Sequence, residues 1–310
     1  MQPIICIAGP TASGKTALAV ELAKVTNGEV VSCDSMQIYK YMDIGTAKPT
    51  VDEMQGIPHH MLSVAEPGED YSVSRYCKAA TPIIDDILKR GKTAIVAGGT
   101  GLYMDALIKG NDFAPYPATG RREELEEVAR QKGIQAVLDM LAKVDPESAG
   151  RLHPSDQKRI IRAMEVYLET GYTITEHNLR TQSIPPKYAP VWFALEDTDR
   201  AQLYNRIDRR VEIMLEAGLI QEIRNLLDMG IPEKCTALQA IGYKEFIAAL
   251  NGQCSIEEAA AQVQQSSRRY AKRQLTWFRR NPNINWLRRE SGETTEEILL
   301  RARQILRESD

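Results

Sequence analysis

Short apolar runs alternate with amphipathic stretches along the first third of the chain. Ile4-Ile5-Cys6-Ile7-Ala8 reads as a buried strand, and residues 17–23 follow it with helical character. Residues 29–33 form a second short apolar run, 75–89 a helical one, and 92–97 another buried strand. Short strands alternating with helices imply βαβ units and a parallel sheet. Ligands of such sheets gather beyond the carboxyl ends of the strands. Residues 11–16, 34–37 and 98–101 all follow predicted strands, so three loops are expected to converge on one pocket.

Beyond residue 112 the periodicity becomes helical. Asn111-Asp112-Phe113-Ala114-Pro115-Tyr116-Pro117 reads as a linker, followed by helices over 121–132, 134–143 and 154–170, the last stopped by Gly171. Pro185, Pro186 and Pro190 bound the far side, and Val191-Trp192-Phe193-Ala194-Leu195 reads as a strand returning to the sheet. With Gly9-Pro10-Thr11-Ala12-Ser13-Gly14-Lys15-Thr16 at phosphate-loop spacing after the first strand, the expected organisation is an α/β, P-loop NTPase-like parallel sheet flanked by helices, with an all-helical insertion. The core would comprise residues 1–112 and 191–310, and the insertion 113–190. Leu203, Ile207, Val211 and Leu215 make an apolar stripe at helical spacing, and Ser255-Ile256-Glu257-Glu258 is a capping box opening the last long helix.

Composition narrows the class. A chain of 310 residues, 43% hydrophobic and 26% charged, is that of an ordinary globular protein. No run approaches the ~18 apolar residues of a membrane span, and the first apolar run is too short for a signal peptide. The five cysteines form no Cys-x-x-Cys pair. This speaks against a disulfide framework or zinc ribbon and for a reducing cytoplasm. Net charge is −3, but between Glu258 and Glu290 the chain has no acidic residue and eight basic ones. Arg268, Arg269, Lys272, Arg273, Arg279 and Arg280 interleave with Tyr270, Trp277 and Phe278, a combination suited to an RNA backbone with bases stacked nearby.

Candidate chemistry starts at Gly9-Pro10-Thr11-Ala12-Ser13-Gly14-Lys15-Thr16. In a strand–loop–helix context this is a phosphate-binding loop: backbone N–H groups and a helix N-terminus face an anion. Lys15 would reach the terminal phosphates, and the Thr16 hydroxyl would ligate Mg²⁺. Asp34 is then a candidate base or metal-associated carboxylate, with an ordinary turn aspartate as the bland alternative. The strand ending at Ala97 lacks the carboxylate of a Walker B ATPase. Arg206, Arg209 and Arg210 are candidate phosphate clamps, and Lys158, Arg159 and Arg162 a second basic group. His59 and His60 have no metal-spaced partners and read as loop or core residues.

Several motifs together resemble the bacterial tRNA dimethylallyltransferases. Besides the phosphate loop they are Asp34-Ser35-Met36-Gln37-Ile38-Tyr39, Met42-Asp43-Ile44-Gly45-Thr46-Ala47-Lys48-Pro49 and Gly56-Ile57-Pro58-His59-His60. Gly98-Gly99-Thr100-Gly101-Leu102-Tyr103, Ala240-Ile241-Gly242-Tyr243-Lys244-Glu245 and Ala271-Lys272-Arg273-Gln274-Leu275-Thr276-Trp277 extend the match. The resemblance implies transfer of a dimethylallyl group from its diphosphate to N6 of the adenosine 3′ of the anticodon. It makes Asp34 the general base, Thr100 a further catalytic contact, and Arg206 a diphosphate ligand, with Arg209 and Arg210 as neighbours able to take that part. Asp34, Ser35, Met36, Gln37, Thr100, Arg122, Gln157, Lys158, Arg159, Ile160 and Ile161 would be tRNA contacts, joined by Arg269, Lys272 and Arg273 of the basic segment. Mg²⁺ would be the cofactor, tRNA and dimethylallyl diphosphate the partners, and the protein a monomer with no membrane association. On the residues alone, a P-loop kinase using ATP and a non-catalytic RNA-binding protein stay open.

Overall fold

The structure, a computed structural model, describes residues 2–110, 119–183 and 185–309. The expected linker at 111–117 lies outside the described residues. The elements run β1 (Gln2–Ala8), α1 (Lys15–Thr26), β2 (Gly28–Ser32), α2 (Val51–Met54), β3 (His59–His60), α3 (Val73–Lys89), β4 (Thr93–Ala97) and α4 (Gly101–Lys109). Helices α5 (Arg121–Lys132), α6 (Ile134–Val144), α7 (Pro146–Arg151), α8 (Gln157–Thr170) and α9 (Ile174–Ser183) follow. The chain then continues through β5 (Tyr188–Asp197), α10 (Arg200–Glu216), α11 (Leu219–Asp228), α12 (Tyr243–Leu250), α13 (Ile256–Phe278), β6 (Ile284–Arg289) and α14 (Thr295–Ser309). It divides into two compact units, Met1–Ile108 with Lys187–Asp310, and Lys109–Pro186.

In the first unit a six-stranded sheet has the order β3-β2-β4-β1-β5-β6. Every pairing is parallel: Ile5 lies opposite Ile95, Cys6 opposite Trp192, Val30 opposite His59 and Ala194 opposite Trp286. A parallel sheet is covered on both faces, which is why β1, β2 and β4 are continuous apolar runs without alternation. One face packs Cys6, Val31 and Val96 against Tyr76, Tyr103, Ile223, Phe246 and Val263. The other packs Ile5, Ile7 and Phe193 against Leu18, Leu22, Ile298 and Ala302. At the amino end of the sheet, Glu29 is buried and takes bonds from Arg90, Lys92 and His60, the latter two at 2.7 and 2.8 Å. The Arg90 guanidinium above all holds this carboxyl well below the usual range. His60 thus serves an ion-pair network, and among the described residues no His, Cys, Asp and Glu group has metal-site geometry.

Three features differ from the sequence reading. Strand β5 begins at Tyr188 and runs through Pro190, which was expected to bound it. The imino ring is tolerated because β6 pairs only from Trp192 onward, leaving that side of Pro190 an edge. Strand β6 was not foreseen, since Ile284 and Leu287 are buried amid Asn and Arg, too sparse a signal for a central strand. It carries Arg288 and Arg289, the last two basic residues of the acid-free interval. That interval is less bare than its sequence suggested: Arg268 pairs with Asp208 of α10 and Arg279 with Glu196 of β5.

The second unit has its own core of Leu125, Val137, Leu141, Ile160 and Met164. Asp145 caps α7 through the Ser148 amide at 3.0 Å and accepts from the Thr175 hydroxyl at 2.7 Å, fastening the start of α9. Ile160 and Ile161, expected as tRNA contacts, are buried, and their side chains pack in this core. No described helix is long and apolar enough to cross a membrane.

The loops after β1, β2 and β4 emerge side by side at the carboxyl edge. Gly98 is one residue beyond β4 and lies so close to the chain after β2 that an added Cβ would be 2.0 Å from the Cys33 carbonyl oxygen. Gly98→Ala must push these loops apart and is expected to destabilise the protein by about 2–3 kcal/mol. The check is the urea midpoint of the variant against the parent, and an unchanged midpoint would contradict the tight approach.

Candidate active site

The carboxyl edge of the sheet opens into a pocket of about 930 Å³ lined entirely by the first unit. Residues 11–17 form one wall, Asp34, Ser35, Met36 and Gln37 a second, and Gly45, Thr46 and Ala47 a third. Helix α10 contributes Arg206, Ile207, Arg210, Val211 and Met214, and α13 contributes Val263, Tyr270, Arg273 and Gln274. Of the three loops expected to converge, two line the pocket. The third, around Thr100, stands behind and supports it: Thr100 Oγ1 accepts the Ser35 amide at 3.0 Å, and its hydroxyl also meets that of Tyr270.

The phosphate loop is shaped by Gly9 and Gly14, whose positive φ values of 147° and 88° no ordinary side chain adopts cheaply. Gly14 delivers the chain into α1, whose first turn carries Lys15 and Thr16 at the pocket. The N-terminus of α1 therefore lies at the pocket, the arrangement that binds anions. Ser13 is 2% exposed and its hydroxyl has no hydrogen-bond partner among the described residues.

Lys15 donates to the Pro10 carbonyl at 2.6 Å. The residue is partly exposed, yet its ammonium is enclosed. Burial, aggravated by Arg210 and relieved in part by Asp34, brings its pKa down to about 7. Enclosure likewise lowers Arg210, with Asp34 and Glu53 opposing the shift. Arg210 donates to the Thr11 hydroxyl at 3.2 Å and has no carboxylate at ion-pair distance among the described residues. Arg206 is differently placed: Nε donates to the Ala12 carbonyl at 2.9 Å, and the guanidinium pairs with buried Asp197 at 2.5 Å. Arg209 pairs with Glu212 on its own helix. The three candidate clamps thus separate into a brace for the loop, an uncompensated cation and a surface ion pair.

Asp34 combines the two readings open to it. Its Oδ1 accepts the Met36 and Gln37 amides at 2.8 and 3.3 Å, an Asx-type turn. No hydrogen bond to Oδ2 is found among the described residues, and the side chain lies on the pocket wall. The turn aims the carboxylate, leaving one oxygen for chemistry. The adjacent Cys33 thiol is buried and pushed far up by that burial, which rules it out as a nucleophile near neutrality.

Gln37 is fully committed within the protein. Its amide donates to the Thr46 and Ala47 carbonyls and accepts from Ser32 Oγ at 2.9 Å. Glu222 of α11 secures the same third wall, accepting the Asp43, Ile44 and Gly45 amides at 2.7, 2.7 and 3.0 Å and the Tyr243 hydroxyl at 2.7 Å. On the basic helix, Arg269, Lys272 and Arg273 are exposed, with Arg273 over the Tyr270 ring. In the second unit Gln157, Lys158 and Arg159 are exposed at the start of α8, while Arg122 is held by Glu165 at 3.0 Å. Glu222 escaped the sequence reading, which named Tyr270 and Gln274 only within the basic segment and a motif and not as parts of the pocket. For these two a signal existed: Val263, Ser267, Tyr270, Gln274 and Phe278 recur at helical spacing, so a glutamine sits in register with a buried stripe.

The family model described as IPP transferase matches residues 37–281, and one described as isopentenyl transferase matches residues 2–66. A tRNA dimethylallyltransferase of Thermoanaerobacter sp. is 46% identical over 297 residues, covering 95% of this chain and 94% of that protein. Among solved structures, the tRNA isopentenylpyrophosphate transferase of Bacillus halodurans superposes with a TM-score of 0.74 at 42% identity, over 99% of this chain and 96% of the other. A eukaryotic dimethylallyltransferase acting on tRNA gives 0.82 at 29% identity, over 99% and 80%. The sheet with its phosphate loop, the aimed carboxylate and these full-length likenesses lead to one conclusion: the chain belongs to the IPP transferase family, the family of the tRNA dimethylallyltransferases.

Proposed function

We propose that the enzyme transfers the dimethylallyl group of dimethylallyl diphosphate to N6 of the adenosine immediately 3′ of the anticodon in tRNA, releasing diphosphate. The observation that carries this reading is one pocket holding a phosphate loop with enclosed, uncompensated cations opposite a carboxylate with a free oxygen. The leaving group is seated on the amides of residues 13–16, with Lys15 and Arg210 neutralising the charge that grows on it as the allylic C–O bond breaks. Arg206, tied to Asp197 and Ala12, keeps the loop in the shape those contacts need.

The acceptor amine is a poor nucleophile, because its lone pair is delocalised into the adenine ring. Asp34 Oδ2 accepts the N6 proton and localises that pair as the new C–N bond forms. The base has to leave its stack to reach the pocket, which suits a single-stranded loop. The exposed Gln157, Lys158 and Arg159 of α8 and Arg269, Lys272 and Arg273 of α13 are proposed to meet the RNA backbone. The Thr16 hydroxyl beside the loop, together with the unpartnered Ser13 hydroxyl, fits a hydrated Mg²⁺–diphosphate. Such an ion would supply further charge neutralisation on the leaving group.

The direct test incubates the protein with labelled dimethylallyl diphosphate and tRNA, with ATP turnover followed in parallel. Label entering the adenosine 3′ of the anticodon is expected, and ATP turnover with no label in RNA would overturn the proposal. In the same assay Asp34→Asn should lower the single-turnover rate by roughly 10²–10⁴ with tRNA affinity nearly unchanged. A surviving rate with collapsed affinity would make Asp34 a binding residue.

Lys15 generates a second prediction. Because enclosure lowers its pKa to about 7, much of it is neutral in the free protein above that pH. A bound diphosphate favours the charged form, so binding at pH 8 should draw a proton into the site. Calorimetry in buffers of different ionisation enthalpy reads this uptake, with Lys15→Met subtracting the ligand's own protonation. The difference between the two proteins should shrink as pH falls below about 7. Equal uptake in both would contradict the assignment.

A further inference from the structure

Helix α13 has two faces with different tasks. Arg269, Lys272 and Arg273 are exposed, whereas Ala271, Gln274 and Phe278 are buried. Gln274 is 5% exposed and is the polar member of that inner stripe. Its Oε1 accepts the Thr11 amide at 2.9 Å, and its Nε2 donates to the Gly99 carbonyl at 3.0 Å. One side chain therefore joins the loop after β1 to the loop after β4. The fit leaves no slack: a Cβ on Gly99 would stand 2.1 Å from Gln274 Nε2.

The neighbours on α13 extend the connection. One turn earlier, the Tyr270 hydroxyl bonds both Gln274 and Thr100, and its pKa is pushed up to about 12 by burial and by Asp34. Thr100 in turn holds the Ser35 amide beside Asp34. Three residues after Gln274, Trp277 donates to Asp105 Oδ2 at 3.0 Å across Gly101. The inner face of α13 thus reaches the phosphate loop, the Asp34 loop and the loop after β4.

An uncharged fork with one donor and one acceptor is what this position requires. A hydrocarbon of the same length would strand a buried N–H and a buried C=O. A carboxylate would face the Gly99 carbonyl and place negative charge beside an anion site. From this geometry we propose that Gln274 is a positioning residue for the leaving group. By fixing Thr11 against Gly99, it holds the phosphate loop in the shape in which the amides of residues 13–16 converge on a diphosphate. It is also the point at which that shape is set by the helix whose other face is basic. The inference rests on the proposed diphosphate site, and it adds a residue that does not itself touch the substrate.

The test titrates inorganic diphosphate, the expected product, into the full-length protein by calorimetry, and an anticodon stem-loop into the same samples. Gln274→Met keeps the length of the side chain and removes both bonds to the loops, together with its bond to the Tyr270 hydroxyl. Its diphosphate affinity should fall by roughly tenfold to a hundredfold, the consequence of two unsatisfied backbone groups in the loops. Stem-loop affinity should stay within about twofold of the parent, since the outer face is untouched. A purely structural role would weaken both ligands together, and that result overturns the proposal. So does a variant that binds diphosphate as the parent does. Should Gln274→Met not fold, Gln274→Asn is read instead: it keeps a neutral amide but is one methylene too short to span Thr11 and Gly99, and it must lose diphosphate affinity with stem-loop affinity retained. If the parent protein itself fails to bind diphosphate, the donor site proposed above is wrong and this inference falls with it.

Discussion

Lys15 and Arg210 are enclosed in the same pocket, and neither has a carboxylate at ion-pair distance among the described residues. Loss of hydration holds both below their ordinary pKa values, and for Lys15 the nearby Arg210 charge adds to it. Such an arrangement is unfavourable in the empty protein and favourable with a multivalent anion present. Such a site is pre-organised for an anion, with the electrostatic cost met by folding before any ligand arrives. Asp34 is near enough to ease both shifts, yet half of its carboxylate is uncommitted, so it remains available to accept a proton.

The scaffold exists to hold that conflict in place. Parallel strands β2, β4 and β1 lie side by side and end at the same edge, so the loops that leave them are neighbours by construction. Glycines at 98 and 99 let these loops approach without side chains between them. Helices α10, α11 and α13 then fasten the loops from the far part of the chain. Arg206 bonds Ala12, Glu222 gathers three amides of residues 43–45, and Gln274 joins Thr11 to Gly99. A site assembled from both ends of the sequence cannot form before the whole first unit has folded.

The βαβ order and the run of helices after residue 120 were legible because each rests on local pattern: apolar runs and helical periodicity. The family resemblance was equally legible, since its motifs cover nearly the whole chain. What local pattern could not provide was partnership at long range. Arg206, Arg209 and Arg210 look alike on one helix, and only Asp197 and Glu212 separate them. Ile160 and Ile161 follow exposed Gln157, Lys158 and Arg159 without a break, but the helix turns them into the core. The block from Arg268 to Arg289 looked uncompensated because its acids, Asp208 and Glu196, belong to distant elements. Strand β6 was invisible because an edge strand needs few apolar residues.

The central claim is that the phosphate loop holds a leaving group, with Asp34 facing the bond that forms. A crystal structure with a non-reactive thiolo analogue of dimethylallyl diphosphate and an anticodon stem-loop measures this directly. The account predicts the diphosphate on the amides of residues 13–16 beside Lys15 and Arg210, and adenine N6 within hydrogen-bond reach of Asp34 Oδ2. A diphosphate seated elsewhere, or an adenine whose N6 meets a group other than Asp34, would contradict it.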